Sequence, residues 1–331
     1  MWEACQGRWN GQCRLVTLTK GSERRPPSVL SPLRFGAELA AAQSFGDCGW
    51  LFYSHSSIAR VQALMPRGFR RPYAVFLHGI EAWAPYSNQQ RRVLQGAAAL
   101  IANSAYTARR VSEAHPSLQP IAACPLALPP NEVSRTGATE PFAVGPSTVI
   151  IVARLDAAER YKGHDQLLEA WPTVVSQVPD AQLLVVGGGD DLTRLQKKAA
   201  GLSVGDSIIF TGFVPELIRE SLYDRAAVFA MPSRNEGFGL VYLEAMAHGL
   251  PCVGSVHDAA GEIIVDAVTG FLVNQAETPA IADRLIRLLS DPALRRQMGD
   301  EGRRRLERCF SYERFEGRLL SLLDGAFGSE A

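Results

Sequence analysis

Short apolar runs alternate with amphipathic stretches along most of the chain. In the first part, "CRLVTLT" (13–19), "GWLFYSH" (49–55), "YAVFLHG" (73–79) and "LIANS" (100–104) read as buried parallel strands. Helical stretches such as "FGAELAAAQSF" and "NQQRRVLQGA" lie between them. That alternation predicts a layered α/β domain with a parallel sheet. A stretch rich in Pro and small or polar residues, "LALPPNEVSRTGATEPFAVGPS" (126–147), interrupts the pattern and reads as a linker.

A second series follows. Strands are expected over 148–155, 181–189, 207–214 and 228–233, then at "PCVGS" and "GFLV" (270–273). The helix after the first of them carries Leu167, Leu168, Trp171, Val174 and Val175 on one stripe. Pro172 falls inside it, where a missing N–H and a ring clash predict a kink or a division. Helices near 279–290, 293–308 and 311–324 close the chain. The reading is two doubly wound domains, 1–140 and 141–310, with 311–331 a terminal helix packing back toward the first. Ligands are then expected outside the carboxyl ends of the strands, in the crevice between the domains.

Length agrees with two domains: 331 residues exceed the usual single core. No uncharged apolar run reaches the ~20 residues of a membrane span, and the first residues lack a signal-peptide pattern. Six cysteines without a C-x-x-C pair suggest neither a disulfide framework nor a zinc site, which fits a reduced cytosol. The zero net charge hides an asymmetry. Residues 1–140 hold 15 Lys and Arg against 8 Asp and Glu (+7), and 141–331 hold 19 against 26 (−7). The arginine doublets 24–25, 70–71, 91–92 and 109–110 are either a solvated face or an attraction to an anionic partner such as a phospholipid surface. No recognition motif points to nucleic acid.

The chemistry concentrates in "MPSRNEGFGLVYLEAMAHGLPCVGS" (231–255). Gly237 and Gly239 let backbone approach a ligand closely, and the N–H groups opening the next helix favour an anion. Glu236 is thus better suited to sugar hydroxyls than to phosphate, and Glu244, one turn into the helix, to another hydroxyl pair such as a ribose. Arg154 at a strand end and Lys162-Gly163 at a helix start would supply positive charge for a diphosphate. "GGGDD" (187–191) lacks the G-x-G-x-x-G order of a dinucleotide fingerprint. Its Asp190 and Asp191 read as helix-capping acids rather than metal ligands.

In order and spacing, "ARLDAAERYKG", "VVGGGDD", "FTGFV" and the 231–255 stretch closely resemble the retaining glycosyltransferases of family four, which have the GT-B fold. The resemblance covers nearly all of 148–275. It implies an enzyme that moves a hexose from a nucleoside diphosphate sugar to a sugar or lipid-linked acceptor, in polysaccharide or glycolipid synthesis, without metal or cofactor. It implies that Arg154, Lys162 and Gly163 hold the diphosphate and that Glu236 binds the sugar with the backbone of Gly237, Phe238, Gly239 and Leu240. Glu244 would bind the ribose, and Val214 would lie against the base. Ala260-Gly261-Glu262 matches the family's "GGxxE" in part. In the first half, His78-Gly79 matches a family "HG" beside the donor sugar, and Ser104 of "NSAYTA" matches a cleft-facing loop. Read from the residues alone, His78 is equally a satisfied polar group and Ser104 a helix N-cap. The family's opening strand and Gly-Gly loop have no counterpart ahead of "RWNGQCRLVTL". A cytoplasmic, membrane-peripheral location is expected. An epimerase or phosphorylase on the same scaffold, or a nucleotide-sugar-binding protein without turnover, are the alternatives.

Overall fold

The five residues Tyr73–Leu77 are all buried, and Val149, Ile150 and Ile151 are wholly excluded from solvent. Strands apolar on both faces can be satisfied only inside a parallel sheet covered by helices on either side, and the chain builds two such sheets. The structure, a computed structural model, describes residues 1–9, 12–16, 31–46, 48–130 and 142–328. Its two compact units are Met1–Pro125 with Glu313–Ala331, and Leu126–Tyr312.

The first unit holds β1 (Leu51–Tyr53), β2 (Tyr73–Leu77), β3 (Ala99–Ala102) and β4 (Ile121–Ala123), parallel and in that order. Leu51 lies opposite Tyr73, Ala74 opposite Ala99 and Leu100 opposite Ile121. Of the strand expected over 13–19, residues 13–16 are irregular and 17–19 lie outside the described residues. β4 was not foreseen. The last helix, Tyr312–Phe327, counts with this unit. It buries Phe315, Leu319 and Leu323 at a spacing of four, and Phe327 stacks on Trp50 at 4.5 Å.

The second unit is a six-stranded parallel sheet in the order β10-β9-β8-β5-β6-β7. Its strands are β5 (Thr148–Val152), β6 (Gln182–Val186), β7 (Ile208–Gly212), β8 (Val228–Ala230), β9 (Cys252–Ser255) and β10 (Gly270–Val273). The chain enters at the centre, winds out to β7, returns to the other side of β5 and winds out to β10. The switch point therefore lies between β5 and β8, where Val149 faces Val228 and Ile150 faces Phe229.

Two local expectations change. Pro172 does not divide its helix, which runs unbroken over His164–Gln177, because Leu167, Leu168, Ala170, Trp171 and Val174 around it are all buried and packing holds the turns together. The stretch 126–147 is not simply a linker. Leu126, Leu128, Phe142 and Val144 pack against the second unit's core, which fits a division after Pro125 rather than after 140. Residues 131–141 lie outside the described residues.

Trp171 is fully buried and its Nε1 donates to the Ser207 hydroxyl at 2.8 Å. Trp171→Ala empties that volume and removes the donor to the Ser207 hydroxyl, which keeps its own bond to the Val204 carbonyl at 2.7 Å, so we expect a loss of about 3–5 kcal/mol in guanidinium-induced unfolding of the second unit.

Candidate active site

The site grows from the switch point. After β5 the chain passes Arg154, makes a 3₁₀ turn over Ala157–Lys162, and reaches Gly163 with φ +93° before the helix His164–Gln177. A Cβ on Gly163 would stand 2.5 Å from the Pro232 carbonyl, so the crossover after β5 lies directly on the one after β8. Tyr161 fastens the two, its carbonyl accepting from the Arg234 backbone N–H and from Gln275 Nε2, each at 3.0 Å. Lys162 Nζ consequently meets Glu236 Oε2 in an ion pair whose side chains are both largely buried.

Asp258, in the loop after β9, fixes the Glu236 loop. It accepts from the Ser233 hydroxyl at 2.5 Å, the Glu236 N–H at 3.3 Å and the Ala260 N–H at 2.9 Å, while the Ala259 N–H donates to the Glu236 carbonyl at 3.1 Å. Burial, helped by the nearby Glu236 charge, pushes the Asp258 carboxyl up to about 6 against the pull of these hydrogen bonds. Asp258 was not foreseen. Its only sequence signal is an acid two residues ahead of a short helix.

Gly239 also needs the left-handed region, with φ +93°, and a Cβ there would come within 2.6 Å of the Tyr242 ring and 3.2 Å of Glu236 Cγ. The Tyr242 hydroxyl donates to the Met231 carbonyl at 2.6 Å. Phe238 points inward, edge-on to Phe310 at 6.0 Å, so its side chain anchors the loop and only its backbone lies along the site. Leu240, exposed, opens the helix Leu240–Ala247.

The structure thus brings Lys162, Gly163, Glu236, Gly237, Phe238 and Gly239 into one constellation at two neighbouring strands. The others stand differently. Arg154 lies beyond the strand end, largely exposed, paired with Glu159 and, at 3.7 Å, with Asp156. Glu244 is mostly buried; its Oε2 accepts from the Tyr223 hydroxyl at 2.9 Å and lies 3.8 Å from Arg219 Nε. Burial raises its carboxyl above the ordinary value, and Arg219 and Tyr223 only partly offset that. Val214 is half-buried against the core. Glu262 lies in the short helix Ala260–Ile263.

Asp191 of "GGGDD" holds the N-cap position of the helix Leu192–Ala200, but its carboxylate makes no cap hydrogen bond. Asp191 takes hydrogen bonds from Arg160 and Arg194, whose guanidiniums hold its carboxyl well below the usual range, and Asp190 accepts from the Ala157 N–H at 2.7 Å. The carboxylates are claimed instead by the loop after β5, through the Ala157 N–H and Arg160, and by Arg194 of the helix itself. Among the described residues, no group of three or more His, Cys, Asp and Glu is disposed to hold a metal ion.

In the first unit, His78 follows β2. Its Nε2 donates to the Ser54 carbonyl at 2.7 Å, the ring stacks on His55 at 5.6 Å, and burial pulls its titration below the ordinary value. Ser104 does not present its hydroxyl to solvent: it is buried and accepts from the Thr107 N–H at 2.9 Å as the N-cap of Ala105–Ala114.

A doubly wound sheet with paired acidic and basic groups at its switch point places the candidate ligand site at these strand ends. The chain belongs to the glycosyl transferases group 1 family, whose model matches residues 138–305, about half of it. A GDP-mannose-dependent alpha-(1-6)-phosphatidylinositol monomannoside mannosyltransferase of Mycolicibacterium smegmatis is 34% identical over 203 residues, 59% of this chain and 53% of that one. An N-acetyl-alpha-D-glucosaminyl L-malate synthase of Bacillus anthracis is 32% identical over 167 residues, 50% and 42% of the two. The chain spans about half the length of the curated relatives it matches. Among solved structures, Anabaena HepE in complex with UDP and glucose aligns with a TM-score of 0.72 at 19% identity, covering 91% of this chain and 84% of that one. Sucrose-phosphate synthase from Thermosynechococcus elongatus aligns at 0.74 and 23%, covering 94% and 82%. These likenesses carry the fold, which is GT-B.

Asp258 sets a pH dependence. Between the ordinary carboxylate value of 3.8 and about 6, the unfolded chain has released this proton while the folded one keeps it, so stability falls as pH rises through that window and levels above it. Comparing unfolding free energies at pH 4 and pH 6, Asp258→Asn removes this component of the slope.

Proposed function

We propose that the chain is a retaining glycosyltransferase that moves a hexose from a nucleoside diphosphate sugar to an acceptor hydroxyl. The observation that carries the reading is the Lys162–Glu236 pair at the switch point, beside Gly239 and the start of a helix. A diphosphate entering there offers Lys162 a doubly charged partner and frees Glu236 to accept from sugar hydroxyls. The helix N–H groups, with about half a positive charge, face the same anion. Arg154, exposed and held only by loop carboxylates, swings in from the same strand end. Glu244 takes the ribose, Val214 lies against the base, and the backbone of Gly163 and Gly237 to Leu240 lines the donor.

As the anomeric carbon–oxygen bond breaks, its electrons pass to the diphosphate, whose growing charge Lys162, Arg154 and the helix start stabilise. The acceptor oxygen bonds to the same face of the sugar and its proton passes to the departing phosphate. The reading requires no metal. His78 and Ser104 belong to the first unit, which we read as the acceptor side. Lys162→Ala and Glu236→Ala are each expected to lower transfer from GDP-mannose or UDP-glucose by about 10²–10³ with the fold intact by circular dichroism, and excess EDTA to leave the wild-type rate unchanged. Wild-type rates in both variants would refute the assignment.

A lipid-linked acceptor fits the names of the mannosyltransferase relatives, and we propose a cytoplasmic, membrane-peripheral protein. The support is a stretch between Asp47 and Glu81 with no acid and four arginines, Arg60, Arg67, Arg70 and Arg71. Leu64, 77% exposed, and Phe69 protrude from it. Such a mixture favours an anionic interface, at about 1 kcal/mol per basic residue near the surface. Among the described residues no helix is long and apolar enough to cross a membrane. Co-sedimentation with phosphatidylglycerol vesicles at low salt, lost at high salt and in Arg70→Glu/Arg71→Glu, is the expected result.

A further inference from the structure

Away from Lys162 and Glu236, a cluster of titratable side chains forms where the helix Glu216–Arg225 meets the end of the helix Leu240–Ala247. His248 closes the second helix, one turn beyond Glu244, and its side chain is almost wholly buried. Its Nδ1 lies 2.7 Å from Asp224 Oδ1 and its Nε2 2.8 Å from Glu220 Oε2. An ionised carboxylate only accepts, and a neutral imidazole donates from one nitrogen alone, so both contacts are satisfied only by the imidazolium. That charge also relieves Glu220 and Asp224, like charges four apart on one helix face, and suits the carboxyl end of the helix it closes.

Between those two acids, Tyr223 is fully buried and stacks on the His248 ring at 5.3 Å and 16°. Its hydroxyl donates to Glu244 Oε2 at 2.9 Å. The same helix sends Arg219 toward Glu220, at 3.3 Å, and Glu244, at 3.8 Å. From the helix Pro292–Cys309, Arg303 Nη2 donates to the His248 carbonyl at 2.9 Å. These are the charged and titratable groups around the ring: Glu220, Asp224, Tyr223, Arg219, Glu244 and Arg303.

We infer that His248, as an imidazolium clamped between Glu220 and Asp224, is a positioning residue that fixes Glu244 for the donor through the stacked Tyr223. The inference rests on the donor reading given above for Glu244. Burial alone would lower His248 and raise Glu220; their mutual hydrogen bond, with Asp224 on the ring and Arg219 beside Glu220, outweighs it, holding His248 above and Glu220 below the ordinary values. The clamp is therefore complete below the ordinary histidine value and is lost as pH rises through the raised one, where one carboxylate loses its donor and donor binding weakens.

The test combines a double-mutant cycle with ring titration. Both His248 nitrogens are expected to carry protons at pH 7 by ¹⁵N NMR. His248→Gln and Tyr223→Phe are each expected to raise the KM for GDP-mannose or UDP-glucose about tenfold, with kcat within about twofold, and the double variant to be no worse than either single. A ring neutral at pH 6, a wild-type KM in His248→Gln, or effects that multiply independently would overturn the inference. If His248→Gln does not fold, the wild-type KM decides: it should rise as the ring titrates, and a flat profile refutes the coupling. If wild type turns over no nucleotide sugar, the donor reading fails. The inference is then judged by the Glu244 carboxyl ¹³C signal, which must move with the His248 titration; a signal that stays put rejects it.

Discussion

Six parallel strands can share a sheet only if every crossover returns to the same end of it, and a doubly wound order then leaves one place where neighbouring crossovers run in opposite directions. In the second unit that place is between β5 and β8. Helices leaving two adjacent strands in opposite directions cannot cover the strand ends, so the loops themselves must do so. That constraint brings Gly163 against the Pro232 carbonyl, ties Tyr161 to Arg234, and delivers Lys162 to Glu236. Without the switch, these residues would stand on separate turns.

The ion pair is more than a consequence of geometry. Two charges this far from solvent hold each other because either alone would be costly, and a buried pair adds little net stability. On the proposed function, its worth lies in keeping a cation and a carboxylate preorganised at a spot an incoming anion can share. Asp258 performs the quieter task. A buried acid satisfied by a hydroxyl and two N–H groups locks the loop that carries Glu236, and the raised titration is the cost of its burial.

Much of this was legible in the chain because buried parallel strands write themselves as unbroken apolar runs; "TVIIV", "QLLVV" and "VFA" could scarcely be read otherwise. Gly163 and Gly239 were legible as close approaches, though not what they approach. β4 escaped because three residues beside prolines and polar neighbours carry too little pattern. Pro172 misled because intrinsic propensity yielded to the buried stripe around it. The aspartates 190 and 191 misled for a related reason: a capping rule weighs only the local helix, whereas Arg160, from a loop distant in sequence, claims Asp191. His248 and Asp258 were silent, since what distinguishes them is partners 22 to 28 residues away, a distance no periodicity encodes.

The two glutamates at the core of the sequence reading end up held by opposite devices. Glu236 rests on a lysine, a partner that a diphosphate competes for directly; Glu244 rests on a buried tyrosine that no donor displaces. On the proposed function this difference is what the reaction requires. The ribose end of the donor is chemically the same before and after transfer, so contacts there bind ground and transition states alike and serve best when rigid. The diphosphate end gains charge as the bond breaks, so its cation must be able to change partners, and only a contact of that kind lowers the barrier. A fixed carboxylate at one end and an exchangeable ion pair at the other therefore divide binding from catalysis along the length of one ligand.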